Sequence, residues 1–272
     1  VNSSAENSDY VGELTVNTGP LYFNKGTEFH LGTGKTRINT NEGVLQGTAG
    51  AIDLTVEADD LDSNTLTISG DADVLVNDAS NDVDASGSTG ELDVNSETDS
   101  TFTVTTGTDK TTVTSAGSAG DITVAAGNLQ NDGDETTFEL ILDGAGDATA
   151  NAVDADVNAG LLNGELTVNT QASADVSIKA GNADAVVQAS GAGTEVDIDA
   201  AAMDQLEILT LFGSGDVAVS DVQSELTIDA DGDSTLTGDV ALTGTLTVGL
   251  VNDVSGAEIR TGSANTTIGG DA

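Results

Sequence analysis

The sequence predicts an all-β fold in which short strands stack as the coils of a β-solenoid, similar to a parallel β-helix. Three observations support this prediction: strand patterns fill the chain, a heptapeptide recurs along it, and large aromatic residues are rare. Aromatic residues make up 3% of the chain, which has no Trp and no Cys. The narrow interior of a solenoid accepts Val, Ile, Leu, Ala and Thr without large side chains.

Strand patterns run through the whole chain. Segments of about four to eight residues alternate small apolar residues with polar ones and are rich in Val, Ile and Thr, as in ELTVNT, AIDLTVEA, TFTVTTG and DITVAAG. Gly, Asn and Asp separate these segments, as expected for turns. Only Ala200–Phe212 has a helix-like pattern, and its second half also fits a strand.

Internal repeats organise the chain into about three degenerate units of roughly 70 to 80 residues, beginning near Asn64. A heptapeptide, GELTVNT in its exact form, has two identical and two weaker copies, at Gly12–Thr18, Gly164–Thr170, Gly90–Ser96 and Gly244–Leu250. A second marker, a strand pattern closing on Gly-Asp, precedes the last three copies along the chain, at Gly70, Gly146 and Gly215.

The first 45 residues differ in composition from the rest. They contain four of the seven aromatic residues, three of the six basic residues, the only Pro and the only His. We therefore predict a docking or cap segment over residues 1–45 and a repeat body over residues 46–272. Tandem β-sandwich modules are the alternative fold for the body, since the units offer one Phe each, at Phe102, Phe138 and Phe212. The uneven spacing of the markers favours the solenoid.

The net charge of -41 is the strongest constraint on function. A folded chain with this charge repels itself, and either high ionic strength or bound divalent cations must offset the repulsion. Either points to an extracellular medium that contains calcium, such as sea water or brine, and the second makes calcium the expected cofactor. Six basic residues against 47 acidic ones argue against a nucleic-acid partner, which requires clustered Lys and Arg.

Carboxylates spaced two residues apart share a strand face or converge in a turn, where they can bind a hard cation together. Two clusters are the best candidates for calcium: Asp229, Asp231 and Asp233, followed by Asp132, Asp134 and Glu135. A solvated acidic turn is the alternative interpretation of each cluster. Weaker candidates are Asp59, Asp60 and Asp62, and the pairs Asp71/Asp73, Asp82/Asp84, Asp154/Asp156 and Asp197/Asp199.

The run TLTISGDADVLVND, with the strand patterns that follow it to Gly117, resembles the β-strand repeats of large bacterial surface proteins. These are surface-layer proteins and adhesins exported by type I secretion, related to proteins with calcium-binding nonapeptide repeats. The resemblance covers roughly residues 64–272 and implies a cell-surface location. The GGxGxD nonapeptide array itself is missing from the sequence, so no calcium ligand is transferred from the family to a residue of this chain.

Two functions fit these observations, and we expect neither to be enzymatic. The first is a structural, self-assembling protein of an extracellular surface layer or filament, acidic and stabilised by cations, which forms homo-oligomers through its N-terminal segment. The second is the stalk or ligand-binding module of a calcium-dependent adhesin, for which a cell-surface glycan is a candidate partner. We expect no membrane insertion, since no apolar run approaches about 18 residues.

Overall fold

The structure is a computed structural model that describes twelve stretches of the chain: residues 13–18, 27–31, 33–40, 54–59, 61, 64–131, 138–204, 207–222, 227–230, 242–250, 258–261 and 265–270. Within these stretches all regular elements are β-strands, so the predicted all-β class is confirmed. The helix-like pattern over Ala200–Phe212 ends in a strand that begins at Ile208. No helix in the described part of the chain could span a membrane.

The described residues form twenty-four strands, which alternate between two sheets. Sheet A contains, in spatial order, β1 (Leu14–Thr18), β3 (Thr36–Thr40), β5 (Leu66–Gly70), β7 (Val83–Ser88), β9 (Phe102–Thr105), β11 (Asp121–Ala125), β13 (Asp147–Val153), β15 (Leu166–Thr170), β17 (Ala185–Ala189), β19 (Ile208–Gly213), β21 (Thr227–Asp229) and β23 (Glu258–Arg260). Sheet B contains β2 (Thr27–His30), β4 (Leu54–Glu57), β6 (Val74–Ala79), β8 (Leu92–Ser96), β10 (Thr111–Ser115), β12 (Leu140–Gly144), β14 (Val157–Leu162), β16 (Asp175–Lys179), β18 (Glu195–Asp199), β20 (Asp216–Val222), β22 (Thr245–Leu250) and β24 (Asn265–Gly270).

Each coil of the chain adds one strand to each sheet, and all neighbouring strands within a sheet run parallel. The predicted β-solenoid is therefore confirmed, and the tandem-sandwich alternative is wrong, because a sandwich is built from antiparallel strands. With a strand separation of about 4.7–4.9 Å, twelve strands give a stack roughly 50 Å long. The number of residues in a coil varies along the stack, and loops of different length between the strands account for this variation.

A single apolar core runs between the two sheets from one end of the stack to the other. Inward residues form columns in register, as in Ile178, Ile198, Val219 and Val248 of sheet B, each at most 2% exposed. Almost all core side chains are Val, Ile, Leu or Ala; Phe102 is the aromatic exception. Small side chains suffice because each position is covered by its neighbours above and below in the stack.

The repeated heptapeptide encodes one strand and one corner of a coil. In the copy that forms β15, Leu166, Val168 and Thr170 point inward and are buried. The outward Asn169 donates from its Nδ2 to Oδ1 of Asn151 on the neighbouring strand, at 2.8 Å. Equivalent amide bonds join β1 to β3 and β8 to β6, whereas the copy that forms β22 has Gly249 at this position. In three of its four copies the motif therefore also stabilises the stacking of coils.

The glycine and glutamate that begin the heptapeptide form the corner. A Cβ at Gly164 would overlap the backbone of Gly146 in the preceding coil, so glycine permits this close approach. The backbone N–H of Glu165 donates to Oδ1 of Asp147, at 2.8 Å. The same bond joins Glu91 to Asp73, at 3.0 Å.

The sequence repeat contains seven strands, which is an odd number. Its four copies supply β1, β8, β15 and β22, so consecutive copies lie on opposite sheets. A glycine with positive φ holds the same position in each unit, at the end of β5, β12 and β19. These glycines are Gly70, Gly144 and Gly213, with φ of 111°, 107° and 114°. The second sequence marker therefore shifts by two residues: Gly70 is equivalent to Gly144 and Gly213, and not to the predicted Gly146 and Gly215.

The described strands of the N-terminal segment belong to the same two sheets as the repeat body. β1 and β3 are consecutive strands of sheet A, and β3 continues to β5. Ile38 of β3 is fully buried in the common core. The docking role of residues 1–45 stays a prediction; Tyr10, Pro20, Tyr22 and Lys25 lie outside the described residues.

Candidate functional site

The predicted calcium ligands lie largely outside the part of the chain that the structure describes. This holds for Asp132, Asp134, Glu135, Asp231 and Asp233. Asp229 ends β21, but its side chain is not among those described. Among the described residues no three His, Cys, Asp or Glu side chains are grouped as a metal site would require. Calcium binding stays a prediction.

Many described aspartates at the corners of the coils bind backbone N–H groups of the next coil. Asp82 accepts from Thr103 at 2.8 Å, and Asp156 accepts from Ser177 at 2.7 Å. Asp184 accepts from Ile208, also at 2.7 Å. A carboxylate that accepts an N–H in the first three residues of the neighbouring strand locks one coil to the next. These aspartates therefore explain part of the acidic composition as a structural requirement of stacking.

Carboxylates also form a column along one corner of sheet A. Partial burial raises the pKa of Glu165, and the neighbouring charges of Asp147 and Asp184 raise it further. A hydrogen bond with Asp184 is the main cause of the raised pKa of Glu207. Burial similarly raises the pKa of Glu91, although Lys110 opposes the shift. We therefore expect the folded chain to be more stable at these corners when a bound proton or cation reduces their negative charge.

A groove crosses the outer face of sheet B over four adjacent strands, β16, β18, β20 and β22, and has a volume of about 410 Å³. Its floor consists of the outward side chains of these strands, in two rows. The first row is Ser177, Asp197, Ala218 and Thr247. The second row is Lys179, Asp199, Ser220 and Gly249. The groove therefore follows the solenoid axis and runs across the strands.

Two features give the groove its shape. The small residues Ala218 and Gly249 leave the space above β20 and β22 open. Phe138, which precedes β12, also lines the groove. Nδ2 of Asn131 donates to the carbonyl oxygen of Asp175 at the start of β16, at 3.1 Å.

The groove combines an aromatic side chain with hydroxyl groups, carboxylates and one amine. Serine and threonine hydroxyls both donate and accept hydrogen bonds, carboxylates accept, and the lysine ammonium donates. The aliphatic stem of Lys179 lies against Gly160 of β14, where a Cβ would be 2.9 Å from its Cε. Most of the surface that the groove exposes is apolar, so this arrangement suits an uncharged ligand that has apolar faces as well as hydroxyl groups.

As candidate functional residues of this groove, the sequence predicted only Asp197 and Asp199, as a weak metal pair. Their spacing correctly predicts that both lie on one face of a strand. The stacking that brings Ser177, Ser220 and Thr247 beside them depends on the length of each coil, which no local pattern specifies. The alternation of polar and apolar residues does, however, identify every one of these positions as outward-facing.

Comparisons of the chain with protein-family models, with curated proteins and with solved structures found no match.

Proposed function

We propose that the chain is a structural, self-assembling component of an extracellular surface layer or filament, in which cations offset the acidic charge. The observation that carries this proposal is the single core shared by two sheets of twelve parallel strands. Such a stack makes an extended rod whose length grows with the number of coils and whose shape does not depend on surface residues. The resemblance of the repeats to bacterial surface proteins supports the same role.

The charge distribution supports dependence on cations. The net charge of -41 is spread over the chain, and the corner column places Asp147, Glu165 and Asp184 on successive coils. We expect the melting temperature to rise from chelator to millimolar calcium, and to rise in molar NaCl as well. One calcium site bound only by the folded state would add about 2.7 kcal/mol at a hundredfold excess over Kd. Equal melting temperatures in all three conditions would contradict the proposal.

The N-terminal segment is the proposed docking element. Arg37 pairs with Glu13 at 3.0 Å within it, and its other basic residue in the described part, Lys35, is exposed. The basic and aromatic residues of this segment would meet a surface that is acidic almost everywhere on a second copy. Electron microscopy of the full chain, with and without calcium, should show ordered assemblies that depend on the cation.

A variant that begins at Val44 tests the docking role. A folded variant that no longer assembles supports docking through residues 1–43. Normal assembly of the variant contradicts it. Loss of folding, measured by circular dichroism, favours the alternative in which the segment caps the protein's own core, where Ile38 is buried.

The second candidate function is a ligand-binding module, such as part of an adhesin stalk, and the groove on sheet B favours it. A stalk module should remain monomeric in calcium, whereas a layer or filament subunit should form ordered assemblies. Light scattering of the full chain at several calcium concentrations separates the two functions.

A further inference from the structure

We infer that the groove on sheet B binds an extended, neutral glycan chain whose long axis lies parallel to the solenoid axis. The inference rests on the second candidate function, ligand binding, and does not depend on self-assembly. It is based on three observations: the two rows of outward side chains, of which the first is in register across all four strands, the Phe138 side chain, and the pairing of the strands that form the floor.

The spacing of the groove fits a chain of sugar units. Neighbouring strands are about 4.8 Å apart, so a new pair of outward side chains recurs at that interval along the axis. This interval is comparable to the length of one sugar unit in an extended glycan. Four strands span about 14 Å between the first and the last, enough for roughly three units.

The side chains of the groove match the chemistry of neutral sugars. Asp197 and Asp199 accept hydrogen bonds from sugar hydroxyls, and Lys179 donates to ring and hydroxyl oxygens. Phe138 offers an apolar ring face to the C–H side of a sugar ring. Ala218 leaves room for that ring above the middle of the floor.

Other classes of ligand fit the groove less well. A polyanion would meet two carboxylates in the groove and a chain with a net charge of -41. A polycation would bind along the whole acidic surface and would not select this face. A peptide strand needs a free sheet edge, whereas the backbone of β18 is already paired on both sides, with β16 and β20.

The opposite face supplies a matched control. One repeat unit earlier, the equivalent outward positions of sheet A carry threonines in register, at Thr103, Thr123, Thr149 and Thr167. Thr123 of β11 corresponds to Asp197 of β18, since both are the third residue of equivalent strands. Thr123→Ala therefore alters the same place in the repeat on the face without the proposed site.

The test measures binding of neutral hexasaccharides of glucose, mannose, galactose and N-acetylglucosamine to the full chain by isothermal titration calorimetry. We expect at least one to bind with Kd below about 1 mM. We expect Phe138→Ala and Ala218→Trp each to weaken that binding by about tenfold or more, and Thr123→Ala to leave it unchanged. Because the ligand is uncharged, affinity should change less than about threefold between about 0.1 M and 1 M NaCl.

The inference is overturned if no hexasaccharide binds, if both groove variants bind like the unmodified chain, or if Thr123→Ala weakens binding as much as they do. Circular dichroism melts establish whether each variant is folded. If Ala218→Trp does not fold, the glycan affinity of Phe138→Ala alone tests the inference. Ordered assembly without any glycan binding would refute the groove and leave the structural role standing. Glycan binding by a chain that stays monomeric would support the groove and refute the structural role.

Discussion

Replacing Gly144 by alanine should destabilise the solenoid at one corner of its core. Gly144 ends β12 with a φ of 107°, a backbone conformation that residues with a Cβ rarely adopt. A Cβ built there would overlap the carbonyl oxygen of Ser115, the partner residue of Gly144 on β10. That oxygen also accepts the N–H of Ala145, at 3.2 Å, so it cannot move away freely.

The expected loss of stability combines two terms. Holding a residue other than glycine in such a conformation costs about 1–3 kcal/mol. Forcing a methyl group into close-packed surroundings costs about 1–3 kcal/mol more. We therefore expect Gly144→Ala to lower the free energy of unfolding by about 2–6 kcal/mol.

Urea unfolding followed by circular dichroism, at constant salt, measures this loss. Gly127→Ala is the matched control, because the nearest atom to its Cβ is the Ala152 Cβ at 3.4 Å, close to ordinary contact. We expect the control to change stability by no more than about 1 kcal/mol. The equivalent changes Gly70→Ala and Gly213→Ala should resemble Gly144→Ala. A Gly144→Ala loss below about 0.5 kcal/mol would show that the corner is not constrained as described.

Three further predictions follow from burial, corner bonding and charge. Leu142→Ala removes a side chain that is 1% exposed and should lower the free energy of unfolding in urea by about 2–5 kcal/mol; a loss below about 1 kcal/mol would contradict a close-packed core. Asp156→Ala removes the acceptor of the Ser177 N–H and should cost about 1.5–3 kcal/mol, with faster amide hydrogen exchange at Ser177 as its local signature. The raised pKa of Glu165 gives a stabilising contribution that is complete below its ordinary value near 4.5 and is lost as pH rises through the folded-state pKa. Glu165→Gln should therefore stabilise the chain at pH 7 and flatten the rise in melting temperature that the unmodified chain shows as pH falls toward 4.5.

The strand patterns were sufficient to predict the fold class and the inward residues, because alternation depends only on neighbours in the chain. Stacking register depends on coil length, and this varies widely. Leu66 pairs with Val83, whereas Ile228 pairs with Ile259, almost twice as far along the chain. The sequence repeat did not reveal the register directly, because its copies lie on alternate sheets.

The candidate site was harder to predict for a related physical reason. An aspartate in a Gly- and Asn-rich turn has the same local pattern whether it binds a cation or a backbone N–H. Asp73, in one of the predicted pairs, accepts the N–H of Glu91. Which role a carboxylate takes depends on the coil beside it. The groove is assembled in the same way, from four strands whose separation along the chain differs at each step.

Because the repeat unit has an odd number of strands, equivalent positions of successive copies lie on opposite faces of the rod. Duplicating a seven-strand unit turns each new copy by half a revolution about the axis, so the same face returns only after fourteen strands. At about 4.8 Å a coil, this is a distance of roughly 34 Å. Substitutions in one copy thus change one face and leave its counterpart on the other intact. The threonine row at Thr123 and the groove at Asp197 differ in this way, so equivalent positions of the repeat carry different side chains on opposite sides of the same rod.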